Sequence, residues 1–266
     1  MSWWESIVLG FIQGATEFLP VSSSGHLVIG QALLGLSIPG VFFEVAVHVA
    51  TLLSVLVVYR ARVWGLVHGC CVRRDRESWG YVGLLALATV PAGLVGVLWK
   101  DDVEALFDSP AVVGWALLVT GALLFSTRWA LRKAEREHLT MRIALAIGVA
   151  QAFALIPGIS RSGSTVVAAL WLGVAPVEAA AFSFLMSIPA IGGAAVLSVP
   201  DLLTGGPGVS TTALALGAVA AAVTGVLAIR TFVVMLKNRS FPAFAWYCWA
   251  AGGAFLVWVA FGMGLG

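Results

Sequence analysis

Residues 13–27 read QGATEFLPVSSSGHL. A carboxylate, three consecutive serines and an imidazole stand there inside an otherwise apolar stretch, residues 3–36. Pro20 and the serines interrupt a helical pattern whose apolar parts run only about 10 to 16 residues, short of the roughly 20 that a bilayer crossing needs. The stretch therefore predicts a helical hairpin, with a first half-helix ending before Pro20, a turn, and a second half-helix starting among Ser22, Ser23 and Ser24. Broken backbone survives at membrane depth only inside protein or beside a water-filled cavity. The rest of the chain is then expected to build that shell.

Working outward, the shell is visible in the composition. Of 266 residues, 60% are apolar and 11% charged, against about 25% charged in soluble domains. The chain reads as one integral membrane domain, residues 1–266. A net charge of +2 excludes a nucleic-acid partner and leaves the lipid bilayer as the surrounding phase. The first charge is Glu5, where a secretory signal opens with basic residues, so no cleaved leader is expected. Cys70 and Cys71 are adjacent and Cys248 lies in an apolar segment, which supports neither a disulfide framework nor a paired-cysteine metal site.

Six segments are long and apolar enough to span: about 41–60, 79–99, 110–127, 176–199, 210–229 and 242–263. A second interrupted region, residues 142–173, carries PGISRSGST at 157–165 and repeats the first design. Gln13 and Gln151 precede Pro20 and Pro157, Gly25 and Gly163 sit in the serine-rich turns, and Phe43 and Phe182 follow at similar distances. The predicted fold is all-α and polytopic, with repeats at about 1–135 and 136–266, each a re-entrant hairpin plus three transmembrane helices. Three spans change sides while a hairpin returns, so the second repeat is inverted relative to the first.

Thirteen of the fifteen Lys and Arg fall after odd-numbered spans, at Arg60 to Arg76, Arg128 to Arg142 and Arg230 to Arg239. By the positive-inside rule those loops are cytoplasmic. Both termini are then extracytoplasmic, and the two hairpins enter from opposite sides with their tips meeting near the midplane. Lys100 lies among Asp101, Asp102, Glu104 and Asp108 on the far side. Trp3, Trp4, Trp79, Trp99 and Trp258 suit interfacial belts, and Pro189 predicts a kink in its span.

Ionisable groups at the bilayer centre are costly, which makes Glu17, His26 and Arg161 candidates for function. Gln13 and Glu17 are four apart on one helix face. Hydroxyls at helix starts are commonly caps. Here two starts converge, one with Ser22, Ser23 and Ser24, the other with Ser160, Ser162, Ser164 and Thr165. Two positive helix ends, free amides and the planar fork of Arg161 make an anion site suited to a phosphate or diphosphate. His26 has the chemistry of a general base, acid or nucleophile. Glu44 and His48, four apart on the first span, read as a helix-face pair of secondary interest.

QGATEFLPVSSSGHL and PGISRSGST resemble the two signature regions of the undecaprenyl-diphosphate phosphatase family, the bacitracin-resistance type. The likeness extends to FEVAVHVATLL near 43 and FSFLMSIPAI near 182, and so covers nearly the whole chain. It implies a plasma (inner) membrane enzyme, with its site opening outward, that converts a C55 polyprenyl diphosphate to the monophosphate carrier of cell-wall synthesis. It also implies a divalent cation, Mg2+ or Ca2+, with Glu17 as the carboxylate to hold it, and leaves room for a homodimer. Glu17, Ser23, His26 and Arg161 match the family's catalytic positions, with Gln13, Ser22, Ser160 and Thr165 as supporting contacts. The family pattern allows Glu or Gln at the first position, and Gln13 leaves Glu17 as the one carboxylate of the pair. The nucleophile stays open among Ser23 activated by His26, His26 itself, and water. Inverted repeats with broken helices also mark secondary transporters, so a carrier or flippase of phosphate or a lipid phosphate is the rival reading. The acid-phosphatase type of lipid phosphatase fits less well, lacking here its Lys and Arg-Pro segment and second catalytic His.

Overall fold

A computed structural model describes residues 1–36, 42–107, 109–197 and 210–262. Asp108 and the ends of three expected spans, at residues 41, 198–199 and 263, lie outside the described residues. The regular structure among those described is helical, apart from one isolated bridge between Arg136 and Val174.

The first interrupted region forms α1 (Trp3–Phe18) and α2 (Ser23–Leu33). Ser2 and Glu5 open α1 with a reciprocal capping box, and the helix stops two residues short of Pro20. Proline disfavours helical backbone in the residue before it, and Leu19 is accordingly extended. The second region repeats this with α8 (Met141–Phe153), capped by Thr140, and α9 (Arg161–Trp171), capped by Ser160. Both predicted breaks thus fall at their prolines.

Between and after these pairs lie α3 (Phe42–Val58), α4 (Arg60–His68), α5 (Arg76–Leu98), α6 (Lys100–Phe107), α7 (Pro110–Ala130), α10 (Pro176–Leu197), α11 (Thr211–Lys237) and α12 (Phe244–Ala260). Among the described residues, five helical stretches are long and apolar enough to cross a membrane, or six if α3 and its continuation count as one. α3 has 17 residues, about 26 Å at 1.5 Å per residue; α12 has as many and is lengthened by the helical turn Phe241–Ala243 before it. The chain bends by 80° at Tyr59, where Arg60 and Arg62 replace the apolar run. In contrast α11 runs eight residues past its expected end, because Phe232 and Leu236 keep an inward face buried.

Small residues let the broken helices pack close. A Cβ at Gly10 or Gly14 of α1 would overlap backbone of α11 at Gly217 or Ala221, and one at Gly148 of α8 would overlap Ala88 of α5. Close backbone contact of this kind replaces the hydrophobic effect, which cannot drive helices together in lipid. The core runs as an aromatic chain from the end of α1. Phe18 meets Phe184 edge-on at 5.5 Å between ring centroids, Phe184 meets Phe232 at 4.9 Å, and Phe232 meets Phe241 at 5.0 Å. Phe18 is fully buried and stands directly beside Glu17, so the core anchors the residue that precedes the first break.

Candidate active site

The two breaks touch. The Gly158 amide donates to Ser22 Oγ at 3.2 Å, and Ser162 Oγ donates to the Leu19 carbonyl at 3.3 Å. A Cβ on Gly25 would sit 3.3 Å from Gly158 Cα. Gly158 has a φ of +96°, and any side chain there would also meet the Val113 carbonyl oxygen at 2.5 Å, so only glycine fits. Ser22 itself holds a φ of +69° without being glycine, a conformation that costs about 1–3 kcal/mol and persists where surroundings impose it. Its hydroxyl receives the Gly25 and Gly158 amides, and its carbonyl receives the His26 amide and side chain. Neighbouring helices brace both turns. Thr120 of α7 donates to the Gly158 carbonyl at 2.9 Å and receives the Ser160 amide, and the Cys248 thiol of α12 points to the Pro20 carbonyl at 3.7 Å.

At this junction Glu17 and Arg161 form a buried ion pair, with Nη2 donating to Oε1 at 2.6 Å across 144 residues of sequence. The other oxygen, Oε2, accepts from Ser23 Oγ at 2.6 Å and from Gln13 Nε2 at 3.1 Å. A second guanidinium nitrogen of Arg161 donates to the Ser183 carbonyl at 3.3 Å. A guanidinium has five donors, so this one retains donors for an anion. A cavity of about 880 Å³ lies against the cluster, lined by Glu17, Ser22, Ser23, Ser24, Ser160 and Arg161. Its apolar side is formed by Ala92, Gly93, Gly96 and Val97 of α5 and residues 189–196 of α10. Val97 and Val196, near the ends of α5 and α10, belong to that lining and are also exposed.

The remaining sequence-predicted residues stand behind or beside this wall. Gln13 steadies Glu17 from inside, Ser162 ties the two turns, and Thr165 shares a 2.6 Å hydrogen bond with Ser183. Ser164 Oγ is buried with no hydrogen-bond partner. His26 is not brought to Ser23. Its Nδ1 lies 2.8 Å from the Ser22 carbonyl, and its Nε2 lies 2.7 Å from the hydroxyl of Tyr247 on α12, against which the ring also stacks. Glu44 and His48 meet through the Glu44 backbone and not side chain to side chain. Glu44 accepts from Gln31, while His48 bonds through Nδ1 to the Glu44 carbonyl and aims Nε2 at Glu17 Oε2, 3.5 Å away. Both line the cavity. Sequence reasoning saw the spacing of His48 and had no signal for Tyr247 or Ser183, whose roles depend on helix rotation.

Among the described residues no three His, Cys, Asp or Glu side chains group as metal ligands. Both oxygens of Glu17 already receive donors, one of them a guanidinium. Mg2+ is ordinarily held by one or two carboxylates together with substrate phosphates.

Fold and site together define a polytopic helical membrane protein whose charged centre is built where two broken helices meet. The model of the bacitracin resistance protein BacA family matches residues 6–254, and the chain belongs to that family. Among its relatives is an undecaprenyl-diphosphatase of Desulfatibacillum aliphaticivorans, 40% identical over 97% of this chain and 99% of the relative. Another, from Alcanivorax borkumensis, is 42% identical over 98% and 100%. A third, from Bacteroides fragilis (strain ATCC 25285 / DSM 2151 / CCUG 4856 / JCM 11019 / LMG 10263 / NCTC 9343 / Onslow / VPI 2553 / EN-2), is 41% identical over 95% and 96%.

Proposed function

We propose that this chain is a membrane phosphatase that hydrolyses undecaprenyl diphosphate to undecaprenyl phosphate and inorganic phosphate. The observation that carries this reading is the shared junction of Glu17, Arg161 and Ser23, where an anion-binding fork, a base and a hydroxyl converge. The free donors of Arg161 and the starts of α2 and α9 hold the diphosphate and offset charge as the phosphoryl group becomes metaphosphate-like. Ser23 Oγ attacks the terminal phosphorus while its proton passes to Glu17 Oε2, and the bond from that phosphorus to the bridging oxygen breaks, releasing the lipid monophosphate. Water then attacks the phosphoserine phosphorus, the bond from phosphorus to Ser23 Oγ breaks as Glu17 returns its proton to Oγ, and inorganic phosphate leaves carrying the water's oxygen and protons. The 2.6 Å contact of Ser23 with Glu17 supports this assignment of the base, with His26 turned toward Tyr247. The prenyl tail leaves sideways between α5 and α10, where the cavity is apolar. A divalent cation enters as the complex of Mg2+ or Ca2+ with the diphosphate, as part of the substrate.

The inverted repeat is part of the same proposal. Supporting it, α1 packs on α11 as α8 packs on α5, each broken helix lying against the second span of the other half. The start of α1 meets the start of α11 where Ser6 Oγ donates to the Ala213 carbonyl, and Leu36, after α2, packs against the same buried cluster as Leu214 of α11. The residues before α8 and after α9 meet at Arg136 and Gly173. Each pair therefore reads as a re-entrant hairpin. Arg62, Arg73 and Arg76 gather with the start of α8 at one end of the bundle, and Glu44 and the far halves of α5 and α10 surround the cavity at the other. With the basic end cytoplasmic, the protein sits multi-pass in the plasma membrane, its termini and cavity facing outward.

The test is rapid quenching of purified protein with C55 diphosphate, followed by mass mapping of the phosphorylated peptide. Phosphate on Ser23 is the expected result. Phosphate on His26 or direct attack by water would replace the mechanism, and no phosphate release from folded protein in any metal or detergent would overturn the function.

A further inference from the structure

We propose that His48 is a positioning residue for the reaction, acting through Glu17 as the acceptor for the proton that Glu17 takes from Ser23. The inference rests on the reading of Ser23 and Glu17 given above. Its starting point is donor arithmetic at Oε2. Before reaction this oxygen accepts from Ser23 Oγ at 2.6 Å and Gln13 Nε2 at 3.1 Å. Once Ser23 is bonded to phosphorus, its proton sits on Oε2 as a new O–H. Of the earlier partners, Ser23 Oγ has become a phosphate ester oxygen, and Gln13 faces Oε2 with its amide nitrogen, a donor, so its own unpaired Oε1 receives the proton only after the amide turns over. A buried hydroxyl left without an acceptor loses about 1–3 kcal/mol.

His48 supplies the missing acceptor. A carbonyl oxygen can only accept, so the 2.7 Å contact with the Glu44 carbonyl makes Nδ1 the donor nitrogen. The neutral ring then presents a lone pair at Nε2, which stands 3.5 Å from Oε2 and faces the cavity. That separation exceeds a hydrogen bond by a few tenths of an ångström. Moving the Ser23 proton onto Oε2 converts the pair into O–H and lone pair, and the gap closes. His26 cannot serve, since its nitrogens contact the Ser22 carbonyl and Tyr247. When water later attacks the phosphoserine, the proton returns from Glu17 to the Ser23 oxygen, so the cycle balances without a further reagent.

The experiment compares kcat and KM for C55 diphosphate in wild type, His48→Leu and His48→Gln. Leucine removes the acceptor, and the amide oxygen of glutamine restores one at similar reach. The expected result is a 10- to 100-fold fall in kcat for His48→Leu with KM within about threefold, and recovery by His48→Gln to within about fivefold of wild type. His48→Ala assayed with and without added imidazole provides an independent arm, with imidazole expected to raise kcat at least fivefold. Wild-type kcat in His48→Leu, or equal losses in Leu and Gln with no imidazole rescue of Ala, would overturn the proposal. Failure of the underlying mechanism shows separately, as absence of phosphoserine in the wild type.

Discussion

Replacing Glu17 by Gln changes one oxygen to an amide nitrogen, and the surroundings accommodate neither orientation. Glu17 Oε1 receives Arg161 at 2.6 Å, and Oε2 receives Ser23 at 2.6 Å and Gln13 at 3.1 Å. If the amide NH2 faces Arg161, two donors oppose each other and a charged hydrogen bond is lost, costing about 1.5–3 kcal/mol. If it faces Ser23, it opposes Gln13 and can no longer take the serine proton, and loss of a general base costs about 10²–10⁴ in rate. The expected fall in kcat/KM for Glu17→Gln is about 10³-fold, or about 4 kcal/mol of transition-state stabilisation. Ser23→Ala removes the hydroxyl on which Glu17 acts and is expected to lose at least as much. Because the two residues carry one step, the double variant should remain within about tenfold of the worse single variant. Phosphate release from C55 diphosphate by purified protein in detergent, with folding checked by size-exclusion, measures all four forms. Losses that multiply toward 10⁶-fold would refute the coupling of Ser23 to Glu17.

Three further outcomes follow from particular contacts. Gly158→Ala forces a side chain into positive φ and against the Val113 carbonyl, so its melting temperature in detergent should fall by several degrees, whereas Gly93→Ala, with nothing within 4 Å of the added carbon, should leave it unchanged. EDTA should abolish phosphate release while leaving the melting temperature of the substrate-free protein unchanged, as expected if the cation travels with the diphosphate; a drop of more than a few degrees would point to a resident ion. Outside the membrane, Asp75 accepts from the Ser78 amide at the start of α5, which holds its carboxyl below the usual range. Its folded value is depressed, so its contribution is complete above the ordinary carboxylate range and is lost as pH falls through the lowered value. Hydrogen exchange at Ser78, corrected for intrinsic rate, should quicken only there, and Asp75→Ala should remove the effect.

The spans and the two breaks were legible in the sequence because they depend on local physics. A run of about 20 apolar residues cannot remain in water, and Pro20 and Pro157 each stand among glycine and serine that do not resume the helix at once, unlike Pro91 and Pro189, which lie inside α5 and α10. So α5, α7, α10, α11 and α12 lie near their expected places, and α1 and α8 end before Pro20 and Pro157. Glu17, Ser23 and Arg161 could be nominated for the same reason, as polar groups in apolar company. What the sequence left open is which nominated groups meet. Ser23 and His26 are three apart on one short helix, yet one turns to Glu17 and the other to Tyr247, 221 residues away. His48 had an obvious neighbour in Glu44 and instead faces Glu17. Composition and spacing determined that this is a membrane protein with two broken helices and polar side chains at both breaks. Only the tertiary structure decided which imidazole stands beside the carboxylate, because helix rotation and rotamer are set by packing against α3, α11 and α12, through contacts made across the whole chain.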